Sequence, residues 1–462
     1  MKLSKLALIA AVACGINAHN LTTATANDIN MVSFCETSCD CGEPVCGCEP
    51  TCCDPVCGDN LCCEPECGCE VACCEDTCCD SGCDSAGCAI GGCELGGCLP
   101  MGDCGDPCSL FGDIGHGINV GGWASLGYHS AALPAFNNRP DEVQLQQSWL
   151  YAEKALDTSS GFDFGGRIDY IYGTDGPNTQ AFGLDNGHWD NDWDNGNDYG
   201  HALPQLYGEV GYGDLSVKVG HFYTIIGWEV VGAPGNFFYS HAYTFNFSEP
   251  FTHTGALATY NVSDDVTVWG GYSLGWDSGF EDNGDAYLGG FSLGLTDNVN
   301  MTYATTMGRF GETKAGAGTR EDGYMHSLVF DVTLSDRLQY IFQNDILETE
   351  DVAGNTQRST AGINQYLLYS INDCLGIGSR FEWWHVDGES QGFGGVPGAT
   401  DADVYALTFG LNYKPHSNVI MRPEIRWDWV DTDAATLAAS TVALEDRDDN
   451  QFTFGMDTIF LF

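Results

Sequence analysis

The chain has 462 residues, with 16 Lys+Arg against 65 Asp+Glu and a formal charge of −49. That length fits two unequal domains better than one compact one, and the charge argues against a nucleic-acid partner, because binding phosphates needs a basic surface. The 60 Gly and 12% aromatic residues exclude a wholly disordered acidic protein, which would carry few aromatics; they fit a β-rich chain with long polar loops.

Residues 1–26 read as a signal peptide for Sec-type export. Lys2 and Lys5 supply the positive start, Leu6 to Ala13 the short apolar run, and Ala24-Thr25-Ala26 the cleavage site, so the mature chain should begin near Asn27. A retained anchor helix would need about 18 apolar residues. A lipid-attachment site at Cys14 would prefer a larger aliphatic where Ala11 stands. No later apolar run could form a transmembrane helix, so a membrane-spanning mature chain must be a closed barrel, which also satisfies its backbone in lipid.

Residues 27–112 form an acidic, cysteine-rich extension. Of 24 cysteines, 22 lie between Cys35 and Cys108, in a stretch without Lys, Arg or aromatic residues. It cannot build a hydrophobic core, so covalent links or metals must order it, or it stays disordered. Cys52-Cys53-Asp54-Pro55-Val56-Cys57-Gly58 recurs as Cys62-Cys63-Glu64-Pro65-Glu66-Cys67-Gly68. Two readings stand. Paired thiolates suit zinc or Cu(I); an exported chain meets an oxidising space where disulfides persist. The compartment favours disulfides, within the chain or to envelope partners, and the pairing cannot be read from spacing.

From residue 113 the texture becomes that of a transmembrane β-barrel, in segments of roughly ten residues that alternate apolar and polar. Sixteen strands are expected, beginning near Ile118, Val143, Phe162, His201, Leu215, Thr252, Val266, Ala286, Val299, Gly323, Leu338, Ser359, Cys374, Val404, Val419 and Gln451. Their connections are expected to alternate short and long without exception. The short ones, such as Gly213-Asp214 and Thr296-Asp297-Asn298, carry tight-turn residues. The long ones include 174–200, 225–251, 388–403 and 432–450. Short periplasmic turns and long extracellular loops mark an outer-membrane barrel; a soluble sandwich has no reason to obey the rule.

Facing agrees. Phe452, Phe454, Met456, Thr458, Phe460 and Phe462 share one face of the last strand, opposite Thr453, Gly455 and Asp457. Arg167 and Asp169 oppose Ile168, Tyr170 and Tyr172; Arg380 and Glu382 oppose Phe381 and Trp383; Glu424, Arg426 and Asp428 oppose Ile425, Trp427 and Trp429. Apolar faces should meet lipid and charged faces the lumen, since a charge in mid-bilayer costs about 2–4 kcal/mol. Trp269, Trp276, Trp384 and Phe460 are expected in the interfacial girdles, and the terminal Phe462 resembles an insertion signal.

The third long loop, Gly227 to Gly255, is aromatic where the others are rich in Asp and Gly. It should fold into the barrel and narrow the pore. Here the sequence resembles the OmpL-like β-barrel porin family of planctomycete-type bacteria. The resemblance is carried by Gly227, Glu229, Asn236-Phe237-Phe238-Tyr239-Ser240-His241-Ala242-Tyr243 and Pro250-Phe251-Thr252-His253-Thr254-Gly255, and extends over about 118–462. It implies an outer-membrane porin-like barrel and leaves the substrate open.

The expected function is passive diffusion of ions and small hydrophilic solutes through the outer membrane. The rival is structural: a barrel anchoring a disulfide cross-linked cysteine layer. Pore-lining or constriction candidates are Arg167, Asp169, Lys218, Glu229, Tyr239, His241, His253, Arg380, Glu382, Arg422, Glu424, Arg426 and Asp428, because mixed charge across a pore sets selectivity. His241 and His253 beside Glu229 and Glu249 could be a metal or catalytic pair, though loop packing is the plainer reading. No nucleophile–base motif is visible, so no enzyme and no cofactor are expected. Asp190, Asp192, Asp194 and Asp198 resemble a calcium loop, but Gly196 falls one place late for an EF-hand and no Glu closes the motif. An oligomer is compatible with all of this.

Overall fold

Period-two alternation and tight turns build one closed sheet. The computed structural model describes Pro107, Phe111 and residues 114–462, except 182–188, 194–197, 281–283, 313–319, 388–400, 435–443 and 445–447. The expected signal peptide and cysteine-rich extension lie outside the described residues, Pro107 and Phe111 apart. Sixteen antiparallel strands follow in order: β1 (Ile118–His129), β2 (Gln144–Lys154), β3 (Phe162–Gly173), β4 (Gly200–Tyr212), β5 (Leu215–Tyr223), β6 (Thr252–Ser263), β7 (Val266–Ser273), β8 (Asp285–Thr296), β9 (Val299–Glu312), β10 (Arg320–Ser335), β11 (Leu338–Glu350), β12 (Thr356–Asn372), β13 (Leu375–Val386), β14 (Ala402–His416), β15 (Val419–Asp431) and β16 (Asn450–Leu461). Each pairs with its sequence neighbours, and β1 closes on β16 in a register running from Trp123↔Leu461 to His129↔Gly455. Beyond that register, Phe462 and Gly122 exchange two backbone hydrogen bonds, of 2.8 and 2.9 Å. The last residue therefore helps seal the seam.

All sixteen strands start within three residues of the expected positions. The connection lengths alternate along the whole chain: even 351–355, the shortest at the long-loop end, exceeds its flanking turns 336–337 and 373–374. Asp351 keeps that connection short by closing a tight turn on itself: its carboxylate accepts the Ala353 and Asn355 amides and the Asn355 side chain.

The outer face is apolar. Phe162, Phe164, Ile168, Val219, Tyr260, Ile425, Trp427, Phe452, Phe454 and Phe460 are exposed, while Asp169, Arg380, Glu382, Arg426, Asp428 and Asp457 on the other face are buried. Trp269, Trp276 and Trp384, expected in the lipid girdles, instead pack inside at 4%, 4% and 0% exposure. Phe460 does face outward. Strand ends admit large aromatics on either face, so a Trp near an end does not by itself indicate lipid.

Candidate functional site

The connection 224–251, hereafter L3, lies between β5 and β6 and rests on the inner wall of the barrel. Its hydrogen bonds show why. An irregular chain segment carries N–H donors and C=O acceptors that must be satisfied once buried. The wall supplies both in alternation, because Arg only donates and carboxylate only accepts.

Arg422 on β15 donates through Nη1 to the carbonyls of Ala233, Asn236 and Phe238 at 2.7, 2.8 and 2.9 Å. Its other nitrogens fork onto Asp457 of β16 at 2.9 and 2.6 Å. Two residues on, Glu424 accepts the Tyr239 and Ser240 amides. Arg380 on β13 donates to the Ser240 carbonyl at 2.6 Å, and Arg426 to the His241 carbonyl at 2.6 Å. Glu382 then accepts the Tyr243 and Thr244 amides, both at 2.7 Å, at the opening of the short helix Tyr243–Ser248. Those are amides that a helix start cannot satisfy internally.

Glu229, near the front of L3, ties the loop to itself and to the wall. It takes Arg380 Nη1 at 2.6 Å, Tyr366 Oη at 3.0 Å, the Ala242 amide at 2.9 Å and His241 Nδ1 at 3.1 Å. Burial opposes its charge, but Arg380, His241 and that amide prevail and hold the carboxyl well below the usual carboxylate range.

Other strands and loops reach L3 too. Gln147 on β2 donates to the Val231 carbonyl and accepts the Ala233 amide. His129 on β1 meets Tyr239 Oη at 3.3 Å. Trp384 donates to Ser248 Oγ at 2.8 Å. Phe136, in the connection 130–143, packs its ring against His241, Phe245 and Phe251. Glycines on the wall make room: a Cβ at Gly378 would collide with the Phe237 ring, and one at Gly127 with Tyr239.

The sequence candidates thus divide into groups. Arg380, Glu382, Arg422, Glu424, Arg426 and Asp428 face inward but are buried under L3, where all but Asp428 bond the loop directly; Asp428 holds Arg426. Glu229, Tyr239 and His241 belong to the loop itself. His253, at the start of β6, bonds Thr224 Oγ1 at 2.9 Å and so joins the two ends of L3. Arg167 and Asp169 pair on β3 at 2.6 Å, with Glu153 also on Arg167 at 3.0 Å.

Lys218 on β5 sits over the Tyr207 ring at 4.4 Å and lines a cavity of about 560 Å³. Glu153, Glu209, Asp214, Asp264 and Thr267 share that cavity. Gln147, Gln343 and Tyr366, which also hold L3, escaped the sequence reading, because neutral inward residues give no charge signal. The His–Glu pairing singled out in the sequence is real for His241 and Glu229, while His253 bonds elsewhere.

In the suggested calcium loop, Asp190 accepts the Ala181 and Leu203 amides and Asp198 binds Arg139; Asp194 and the side chain of Asp192 lie outside the described residues. Among the described residues no group of three or more His, Cys, Asp or Glu could hold a metal ion.

Residues 117–462, which hold the closed sixteen-strand barrel, match the family model "putative beta-barrel porin-2, OmpL-like". The chain belongs to that family. Solved structures share the fold. In-vitro folded OmpT of Vibrio cholerae in its trimer form is 12% identical, covers 75% of this chain and 99% of its own, and has a TM-score of 0.52. OmpT expressed in the outer membrane of the same organism is 11% identical, with coverage of 75% and 97% and a TM-score of 0.50. No curated protein matches the sequence. Family and fold together make the protein a porin-type barrel of the outer membrane.

Proposed function

We propose that the protein lets ions and small hydrophilic solutes diffuse passively across the outer membrane, through a lumen that L3 constricts. The observation that carries this is the bonding of L3 to inward side chains of β2, β13 and β15. The water path then runs past the cavity of about 560 Å³ lined by Lys218, Glu153 and Glu209. With its short turns facing the periplasm and its long acidic loops outside, such a pore draws cations to its mouth. Deleting residues 231–248 should raise single-channel conductance in planar bilayers; an unchanged conductance from a folded barrel would overturn the constriction.

A second reading has one observation in its favour. Cys374, at the turn between β12 and β13, is disulfide-bonded, and every other cysteine of the chain stands at or before position 108. On this reading the barrel anchors a cross-linked cysteine-rich layer and conducts little. Channel recordings with and without residues 27–112 separate the two: equal conductance supports the pore.

A further inference from the structure

Both ends of L3 meet at one amide. Gln343 on β11 accepts the Trp228 amide through Oε1 at 3.2 Å. Through Nε2 it donates to Glu249 Oε1 at 2.6 Å and to Asp345 Oδ2 at 2.7 Å. The two hydrogens of that nitrogen are thereby used, one on each carboxyl group. The remaining oxygens, Glu249 Oε2 and Asp345 Oδ1, are buried and have no hydrogen-bond partner among the described residues. Neither carboxyl is in an ion pair there.

The groups facing Glu249 are Asp345 and Gln343 from the wall and Glu229 from the front of the loop; Asp345 faces Ser327 on β10 as well. None of these is a cation. The Glu249 carboxyl also lies directly against Gly227, whose φ of +87° and lack of Cβ admit it; a Cβ there would overlap the carboxylate. A buried pair of carboxylates with no cation cannot both ionise at small cost, because two like charges repel strongly away from water.

We propose that Glu249 and Asp345 share a single proton, and that this proton latches the C-terminal end of L3 to the barrel wall. The inference rests on L3 narrowing the lumen and adds a control on that loop. Burial, together with the neighbouring Asp345, pushes the Glu249 carboxyl up. The contact is therefore complete in acid and is lost as pH rises through the raised value. Loss of the proton leaves two facing charges, which frees the loop end and widens the path.

The test is single-channel conductance of the full-length protein in planar bilayers, from about pH 5 to about pH 9, the span into which a buried carboxyl can be shifted. Wild-type conductance should rise with pH along a one-proton curve. Glu249→Gln, which replaces the shared proton by an amide hydrogen, should stay at the wild-type acid value. A second buried acid, Asp175, lies near the other end of L3 and is pushed up to about 8, chiefly by burial; it remains in both proteins, so the comparison cancels it. A flat wild-type profile, or a Glu249→Gln profile identical to wild type, would overturn the latch.

Infrared difference spectra read the proton without reference to conductance. Asp175 contributes a protonated-carboxyl band to both proteins, so the reading is the difference between them: a band stronger in wild type than in Glu249→Gln at neutral pH supports the shared proton, and equal bands refute it. If deleting 231–248 leaves conductance unchanged, the constriction has failed, and the infrared result alone decides the shared proton.

Discussion

Arg380 and Glu229 meet at 2.6 Å, one from the barrel wall and the other from the loop that rests on it. Each is buried, and each also binds L3 backbone: Arg380 takes the Ser240 carbonyl and Glu229 the Ala242 amide. The pair therefore fixes where the loop lies as well as neutralising two charges.

Removing one partner strands the other. Arg380→Gln should cost about 3–5 kcal/mol, the usual penalty for leaving one charge of a buried pair uncompensated. The sheet closes through backbone bonds of its own, so the loss should fall on L3. The variant should still run as a heat-resistant barrel in detergent gels, with larger and noisier single-channel currents. Arg380→Lys should rescue only partly, since an ammonium cannot reproduce the planar fork. Currents of wild-type size and noise in Arg380→Gln would show that this contact does not hold the loop.

The same pair sets an acid limit. The Glu229 carboxyl is held below its ordinary range, so its contribution is complete above an ordinary carboxylate value, about 4.3, and disappears as pH falls through the depressed folded value. L3 should therefore stay docked well into acid as far as Glu229 is concerned. Digestion with pepsin at stepped acid pH, where that protease is itself active, checks this. Cleavage within the loop appearing as soon as pH drops below the ordinary carboxylate range would contradict it.

Much of this was legible in the sequence, and the failures have a common cause. Alternation along β13 and β15 shows that Arg380, Glu382, Arg422, Glu424 and Arg426 face inward, because side chains on a strand alternate between faces. It does not show what covers them, and they meet a peptide backbone rather than pore water. The aromatic run of L3 marks a loop that avoids solvent, yet its anchors Gln147 and Gln343 are neutral residues on strands far off in sequence. Trp384 sits where a girdle residue could, but a loop serine accepts its indole N–H. Facing is local and therefore readable; contact partners are set by closure of the whole barrel.

Cysteine chemistry gives a third test. If export removes Cys14 with the signal peptide, 23 of the 24 cysteines remain. An odd number cannot all pair within one chain, so at least one thiol stays free or bonds another molecule. Cys374, being disulfide-bonded, should resist alkylation until reduced, and Cys374→Ser should expose one additional thiol. Reduction should leave the barrel heat-resistant, because its closure between β1 and β16 is a backbone ladder. Ready alkylation of Cys374 in unreduced protein from the native envelope would refute its pairing.

Selectivity follows from which charges stay outside the L3 docking. Arg380, Arg422 and Arg426 are engaged with loop carbonyls and with Glu229, Asp457 and Asp428, so they do not form a positive strip facing the water path. The cavity along β2–β7 holds Lys218 and Lys154 against Glu153, Glu209, Asp214 and Asp264, a negative balance that should favour cations. Lys154 is bound to Asp163 at 2.9 Å, whereas Lys218 lines that cavity with no ion pair among the described residues. Lys218→Gln should therefore strengthen cation preference, read as a larger reversal potential across a KCl gradient. The change should be clear near about 0.1 M salt, where the Debye length is about 10 Å, and nearly absent near about 1 M, where it is about 3 Å. A reversal potential that favours anions in the wild type at low salt would mean that the path runs past the arginines after all. An unchanged potential in Lys218→Gln would mean that it does not pass this cavity.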